Sequence, residues 1–179
     1  KKFSDQQSNS IAENIRESIV EGLGPRDAAA KLRSTVRGIN RSESDVIART
    51  LLLQAANEAR DDMYKQYADY IVSYRYIATL DSRTCTVCSP YDGRIQKKRR
   101  DLPYVPRHPR CRCTVTPWDK DGIDEDDTRA AVFHDSRLIK HKDGATSTKF
   151  KVRSVDQVPL STTYSNWFKA LTQSDQLKI

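Results

Sequence analysis

All four cysteines of this 179-residue chain lie in two short segments, TCTVCSPYDGR and HPRCRCTVTPW, and this clustering restricts the fold more than any other feature. The Cys-x2-Cys turn of the first segment brings two thiolates close enough to share one metal ion. The His-x2-Cys turn of the second segment can supply the other pair of a tetrahedral site. The candidate ligands are Cys85, Cys88, His108, Cys111 and Cys113.

These residues predict a structural zinc ion, with one ligand position left open. We favour a set of three cysteines and one histidine, made of Cys85, Cys88, His108 and Cys111. Cys111 and Cys113 would point to the same face of a strand, so Cys113 could replace His108. Four or five ligands would close the site, which indicates a structural metal, because a catalytic zinc needs an open position and a nearby base.

Two other uses of the cysteines compete with zinc. The thiols could stay reduced in hydrogen-bonded turns, or disulfides could join the two segments. Disulfides are typical of secreted proteins. The first residues, KKFSDQQSNSIAENI, contain no apolar segment of the kind that secretion signals have, and the pattern therefore favours the metal.

Residues 1–72 predict a helical part. In the first helix the apolar residues recur every four positions, at Ile11, Ile15, Ile19 and Leu23. A second helix begins at Pro25, and Ser42 or Ser44 is the expected cap of a third. Three helices joined by short links favour an antiparallel arrangement.

The pattern changes over residues 73–118, which we expect to form one core domain with residues 1–72. The stretch YIVSYRYIATL is rich in β-branched and aromatic residues and predicts a strand. Shorter strands are expected around GRIQ and CRCTVTPW, beside the cysteines. The sequence thus predicts an α+β fold, in which N-terminal antiparallel helices pack on a small β-hairpin zinc-knuckle region.

The rest of the chain predicts an acidic loop and an extended arm over residues 119–160, then an amphipathic helix over residues 161–179. Six of the nine residues from 119 to 127 are acidic, which is typical of an exposed loop. We expect Ser161 or Thr162 to cap the helix and the sequence to stop inside it, as in a truncated chain. Its apolar face is interpreted as a partner-docking surface and consists of Tyr164, Trp167, Phe168 and Leu171.

A net charge of +7 and a pI near 9.3 favour a polyanionic partner. Eight cations surround the cysteines and predict a surface that binds nucleic acid or an acidic protein, at Arg94, Lys97, Lys98, Arg99, Arg100, Arg107, Arg110 and Arg112. Contact with phosphates would be independent of sequence and sensitive to salt. No apolar run approaches the roughly 20 residues of a membrane span, so no membrane partner is expected.

The cysteine region resembles the phage Mu F-like head morphogenesis family of minor head proteins. The residues that match its motif are Thr79, Asp81, Arg83, Thr84, Cys85, Cys88, Gly93, Arg94, Pro106, His108, Pro109, Cys111, Arg112, Cys113 and Pro117. The segment IARTLLLQAANEARDDMY also resembles the family's preceding helix, so the resemblance covers roughly residues 10–118. Leu51 stands where the family usually has Glu, and Arg110 where Asn is common. Some relatives lack the first cysteine pair, so the zinc prediction depends on the residues themselves.

This resemblance implies a structural, non-enzymatic minor head protein of a tailed bacteriophage. Such a protein belongs to the virion head or procapsid, is assembled in the bacterial host cytoplasm, and acts in head assembly and in DNA packaging or delivery. The implied partners are the portal protein, the major capsid protein and packaged DNA. The alternatives are a zinc-stapled nucleic-acid-binding module and a metal-dependent nuclease, whose cleavage would require His108.

Overall fold

The computed structural model describes residues 3–119, 127–140 and 146–176, which form a mixed α+β structure. The chain divides into two compact units. The first unit contains Lys1–Ala68 and Tyr104–Arg112, and the second unit contains Asp69–Pro103 and Cys113–Ile179. The predicted region 73–118 is therefore shared between them. Among the described residues, no helix has the length and apolar character needed to span a membrane.

Three helices make up most of the first unit: α1 (Asp5–Val20), α2 (Pro25–Thr35) and α3 (Arg41–Gln66). The expected cap of α3 at Ser42 or Ser44 is wrong. Asn40 caps the helix instead, because its side-chain oxygen accepts from the Glu43 amide at 2.9 Å. The Glu43 carboxylate accepts in return from the Asn40 amide at 3.0 Å, which completes a capping box.

The apolar stripes of α1 and α2 form the core of the first unit. Its buried residues are Ile11, Ile15, Ala28, Ala29, Leu32, Val36 and Ala48. Ile19 extends the α1 stripe in the sequence, but its side chain is 48% exposed. The core contacts of α3 come from its first half, where Ile47, Leu51 and Leu52 pack against the same cluster.

The second unit contains a three-stranded sheet with one central strand and two outer strands. Its strands are β1 (Ser73–Ile77), β3 (Ile95–Gln96) and β4 (Thr114–Trp118), and both outer strands run antiparallel to β1. All three strands were predicted and are confirmed. Three consecutive residues of β1 are buried, namely Tyr74, Arg75 and Tyr76, so both faces of this strand are covered.

A second sheet contains the region predicted as an extended arm. β2 (Leu80–Asp81) pairs in parallel with β5 (Thr128–Lys140), and β5 pairs antiparallel with β6 (Thr146–Pro159). These two long strands satisfy each other's backbone groups, and Leu80 and Ala131 at the β2 edge are fully buried. Residues 120–126, most of the predicted acidic loop, and 141–145 lie outside the described part of the chain.

The predicted C-terminal helix is present as two short helices, α4 (Tyr164–Ala170) and α5 (Gln173–Gln176). Thr163, and neither Ser161 nor Thr162, caps α4 by accepting from the Asn166 amide. Tyr164 and Trp167 are buried in one cluster with Leu80 and Ala131, and Phe168 and Leu171 pack against it. The face interpreted as a partner-docking surface is thus used inside the second unit, because it covers the apolar side of the β2-β5-β6 sheet.

Candidate functional site

The turn that leads into the first cysteine pair is built by the motif residues that precede it. The buried Asp81 carboxylate accepts from the Arg83 amide at 3.0 Å and from the Thr84 hydroxyl at 3.3 Å. The same hydroxyl lies within hydrogen-bond distance of the Thr79 carbonyl. These contacts explain the spacing of Thr79, Asp81, Arg83 and Thr84, because each residue shapes the backbone before Cys85.

The first cysteine pair forms a tight turn, as the Cys-x2-Cys spacing predicts. The amides of Cys88 and Ser89 both donate to the Cys85 carbonyl at 3.0 Å. The sulfur atoms of Cys85 and Cys88 lie within 4.8 Å of each other. Cys88 is only 1% exposed, whereas Cys85 is partly exposed.

Cys113 belongs to the same unit and lies directly before β4. Its sulfur is within 4.8 Å of the Cys88 sulfur, and its side chain is 3% exposed. β4 begins at Thr114, so Cys111 and Cys113 precede the strand and do not lie on one of its faces as predicted. Two buried thiols this close together are suited to sharing a soft metal ion.

His108 and Cys111 lie in the first unit, where the Cys111 amide donates to the His108 carbonyl at 3.1 Å. Arg110 occupies this turn with a positive φ of 60°. The His108 ring places Nδ1 2.8 Å from the Pro109 carbonyl, which fits a tautomer with the proton on Nδ1 and Nε2 as the metal-donor atom.

Within the second unit, the sulfur atoms of Cys85 and Cys113 each lie within 4.8 Å of the Cys88 sulfur, and this group of thiols could hold a metal ion. None of the four cysteines, all of which are described, forms a disulfide. Sulfur donors of this kind match the chemistry of zinc, which binds cysteine thiolates in tetrahedral sites.

The hydroxyl of Tyr76 gives an independent indication of whether a metal ion could bind beside Cys88 and Cys113. The hydroxyl is buried and has no hydrogen-bond partner of ordinary geometry among the described residues. Burial raises the pKa of Tyr76, and so do the neighbouring thiol groups of Cys113 and Cys88. A metal-bound thiolate accepts a hydrogen bond better than a neutral thiol does. A metal at Cys88 and Cys113 would therefore give this hydroxyl an acceptor.

The eight predicted cations are divided between the units. Lys97, Lys98 and Arg100 are exposed in the second unit, and Arg94 is exposed there with its guanidinium 4.5 Å from the Tyr91 ring centre. Arg99 lies beside them and is partly buried. The other three cations belong to the first unit and are Arg107, Arg110 and Arg112.

A buried ionic network in the second unit was not predicted from the sequence. The Asp92 carboxylate, fully buried, accepts from both terminal nitrogens of Arg129 at 3.1–3.2 Å. It also accepts from the amides of Ala78 at 2.7 Å and Tyr164 at 2.6 Å. Asp92 thus fastens the loop after the first cysteine pair to β5 and to the start of α4.

Arg75 extends this network on β1. Its guanidinium donates to the Leu160 carbonyl at 2.7 Å and lies 4.2 Å from the centre of the Trp118 ring. Burial lowers the pKa of Arg75, and the nearby charge of Arg129 lowers it further. The only sequence signal for this network is that Asp92 directly precedes the motif residue Gly93. The sequence does not show that Asp92 pairs with Arg129, because the two residues lie far apart in the chain.

The chain was compared with known proteins. A family model described as phage Mu protein F like protein matches residues 9–116, which is more than half of the sequence. The chain belongs to this family. The resemblance predicted from the motif residues is therefore confirmed over nearly the same range. Searches of curated proteins and of solved structures gave no match.

Membership in the phage Mu F-like family indicates a structural protein of the phage head. The matched range begins inside α1, contains α2, α3, the strands β1–β3 and all four cysteines, and ends inside β4. The long β5–β6 hairpin and the helices α4 and α5 lie beyond it. The family thus accounts for the cysteine region, while the hairpin that anchors Arg129 is additional to the matched domain.

Proposed function

We propose that this phage Mu F-like chain is a minor head protein of a tailed bacteriophage that acts at the portal and capsid. There it would take part in head assembly and in DNA packaging or delivery. The observation that carries the proposal is the family match over residues 9–116. The proposed partners are the portal protein and the major capsid protein.

The zinc ion is part of this proposal as a structural staple. Its ligands would be Cys85, Cys88, Cys111 and either His108 or Cys113. The support comes from the close sulfur pairs within the second unit and from the Tyr76 hydroxyl beside Cys88 and Cys113. The metal would hold segments that are short and have few apolar side chains of their own.

Co-purification tests the proposed partners. The tagged chain is co-expressed with the portal protein or the major capsid protein of the same phage, and the complexes are separated by size-exclusion chromatography. We expect the chain to co-elute with at least one of them. An unrelated protein of the same net charge serves as the control, because basic proteins can bind capsid proteins through charge alone. Elution of the chain by itself in both co-expressions would contradict the assignment.

A second candidate function, non-specific DNA binding, is favoured by the exposed cations of the second unit. Lys97 and Lys98 have no ion-pair partner among the described residues, and Arg100 approaches only Asp101, at 4.0 Å. Cationic side chains without a close internal partner can contact phosphates without first breaking an ion pair.

DNA binding is measured by fluorescence anisotropy with a short labelled duplex. We expect the dissociation constant to rise on the order of 10-fold between about 50 and 200 mM salt, as for a few phosphate contacts. Replacing Lys97, Lys98 and Arg100 together with alanine should reduce this salt dependence. Affinity that does not change with salt, or that is equal in the triple variant, would exclude these residues as a DNA surface.

A further inference from the structure

The first unit contains an open cleft of about 800 Å3 between α2 and α3 that has a strongly basic lining. Five arginines line this arginine cleft: Arg26, Arg33, Arg41, Arg49 and Arg110. Its acidic residues are Asp27 and Asp45, so the lining has three net positive charges. Only Arg110 belongs to the cations predicted around the cysteines.

Helix geometry brings these arginines to one side. Arg26 and Arg33 are seven positions apart on α2, and Arg41 and Arg49 are eight positions apart on α3. Such spacings place two side chains on the same face of a helix. The cleft is therefore a consequence of two helical arginine stripes that face a common space.

Three of the arginines are held in position by internal contacts. The Asp45 carboxylate pairs with Arg49 Nε at 2.8 Å and with Arg110 Nη2 at 3.4 Å. Arg33 Nη1 donates to the Ser44 hydroxyl at 3.1 Å. Guanidinium groups that are already oriented lose less conformational entropy when a ligand binds.

The other two arginines are available to a ligand. Arg26 and Arg41 are exposed, and within the described part of the chain their guanidinium groups have no hydrogen bond or ion pair. Arginine presents a planar fork of donors that matches a carboxylate or a phosphate. The lining contains no lysine, which would bind only as a point charge.

We propose that the arginine cleft binds an acidic peptide segment of a partner protein, with Arg26 and Arg41 as the main carboxylate contacts. The volume suits a few side chains, within the range of about 300–1,000 Å3 that ligand sites occupy. Asp27 and Asp45 favour a peptide over a nucleic acid, because a peptide has amide donors for them whereas phosphates would repel them. The lining also has no aromatic ring on which a base could stack.

The test uses the full chain and a fluorescein-labelled peptide of about six glutamates, with binding measured by anisotropy at low salt. We expect the double variant Arg26→Ala, Arg41→Ala to bind the peptide about tenfold more weakly than the parent chain. The matched control is the double variant Arg16→Ala, Lys65→Ala. It removes the same charge from exposed positions of the first unit outside the cleft and should change the affinity less than about twofold.

A labelled DNA duplex measured with the same three proteins distinguishes the two kinds of ligand. The proposal expects the cleft variant to lose peptide affinity while its DNA affinity falls no more than that of the control. Equal loss of peptide binding in both double variants would overturn the proposal, since the peptide would then bind through the overall positive charge of the chain rather than through the cleft. A selective loss of DNA binding in the cleft variant would also overturn it, because the cleft would be a phosphate site. Neither readout requires the head-protein assignment, so the two proposals fail separately.

Discussion

Replacing Asp92 with alanine is expected to lower the free energy of unfolding of the second unit by about 4 kcal/mol. The variant leaves the Arg129 guanidinium buried with no carboxylate beside it, and removing one partner of a buried ion pair costs about 3–5 kcal/mol. It also removes the acceptor of the Ala78 and Tyr164 amides. No other carboxylate among the described residues pairs with Arg129, so we expect no internal replacement.

Urea unfolding followed by tryptophan fluorescence measures this effect, because both tryptophans, Trp118 and Trp167, lie in the second unit. Asp69→Ala is the matched control. It removes an exposed carboxylate of the same unit and should change the free energy by less than about 0.5 kcal/mol.

A double variant separates the ion pair from the other contacts of Asp92. Asp92→Ala combined with Arg129→Met removes the buried positive charge and should recover part of the loss. A loss below about 1 kcal/mol in Asp92→Ala would show that the network contributes little. A double variant no more stable than Asp92→Ala would show that the amide contacts, rather than the ion pair, account for the loss.

The second large effect is expected from Cys88, the thiol that lies close to both Cys85 and Cys113. If the region binds zinc as proposed, Cys88→Ser should lose the metal and lower the melting temperature by more than about 10 °C. Structural zinc binding is part of the folding free energy, with apparent values of about 10–16 kcal/mol in small zinc domains. The rest of the second unit has its own core, so we expect partial rather than complete unfolding.

Zinc content by elemental analysis and melting in the presence of a strong chelator are the two measurements. Thr86→Ala is the control, because it changes an exposed residue between the paired cysteines without removing a donor. Comparison of His108→Ala with Cys113→Ser identifies the fourth ligand, since the variant that keeps stoichiometric zinc has lost a residue outside the coordination sphere. A parent chain that contains no zinc, or that melts at the same temperature in chelator, would contradict the staple.

Local sequence signals predicted the elements of this protein but not its long-range contacts. The stripe with Ile11 and Ile15 on α1, the strand β1 and the cysteine turn depend on spacings within a few residues, which the sequence displays directly. The cap of α3 was misplaced because several polar residues near Asn40 have side chains that can cap a helix. His134 lies in the region predicted as an extended arm, but it is buried with its ring Nδ1 3.3 Å from the Ser82 hydroxyl oxygen, because β5 pairs with β2.

The sequence by itself determined the helix stripes, the family and the set of possible metal donors, because each is encoded by residue type at short spacing. Only the tertiary structure decided that Asp92 meets Arg129 and that the arginines of α2 and α3 line one cleft. It also decided that the face containing Tyr164 and Trp167 covers a sheet of its own unit. These contacts join residues far apart in the chain, and pairing at that range depends on how whole elements pack, which residue spacing does not encode.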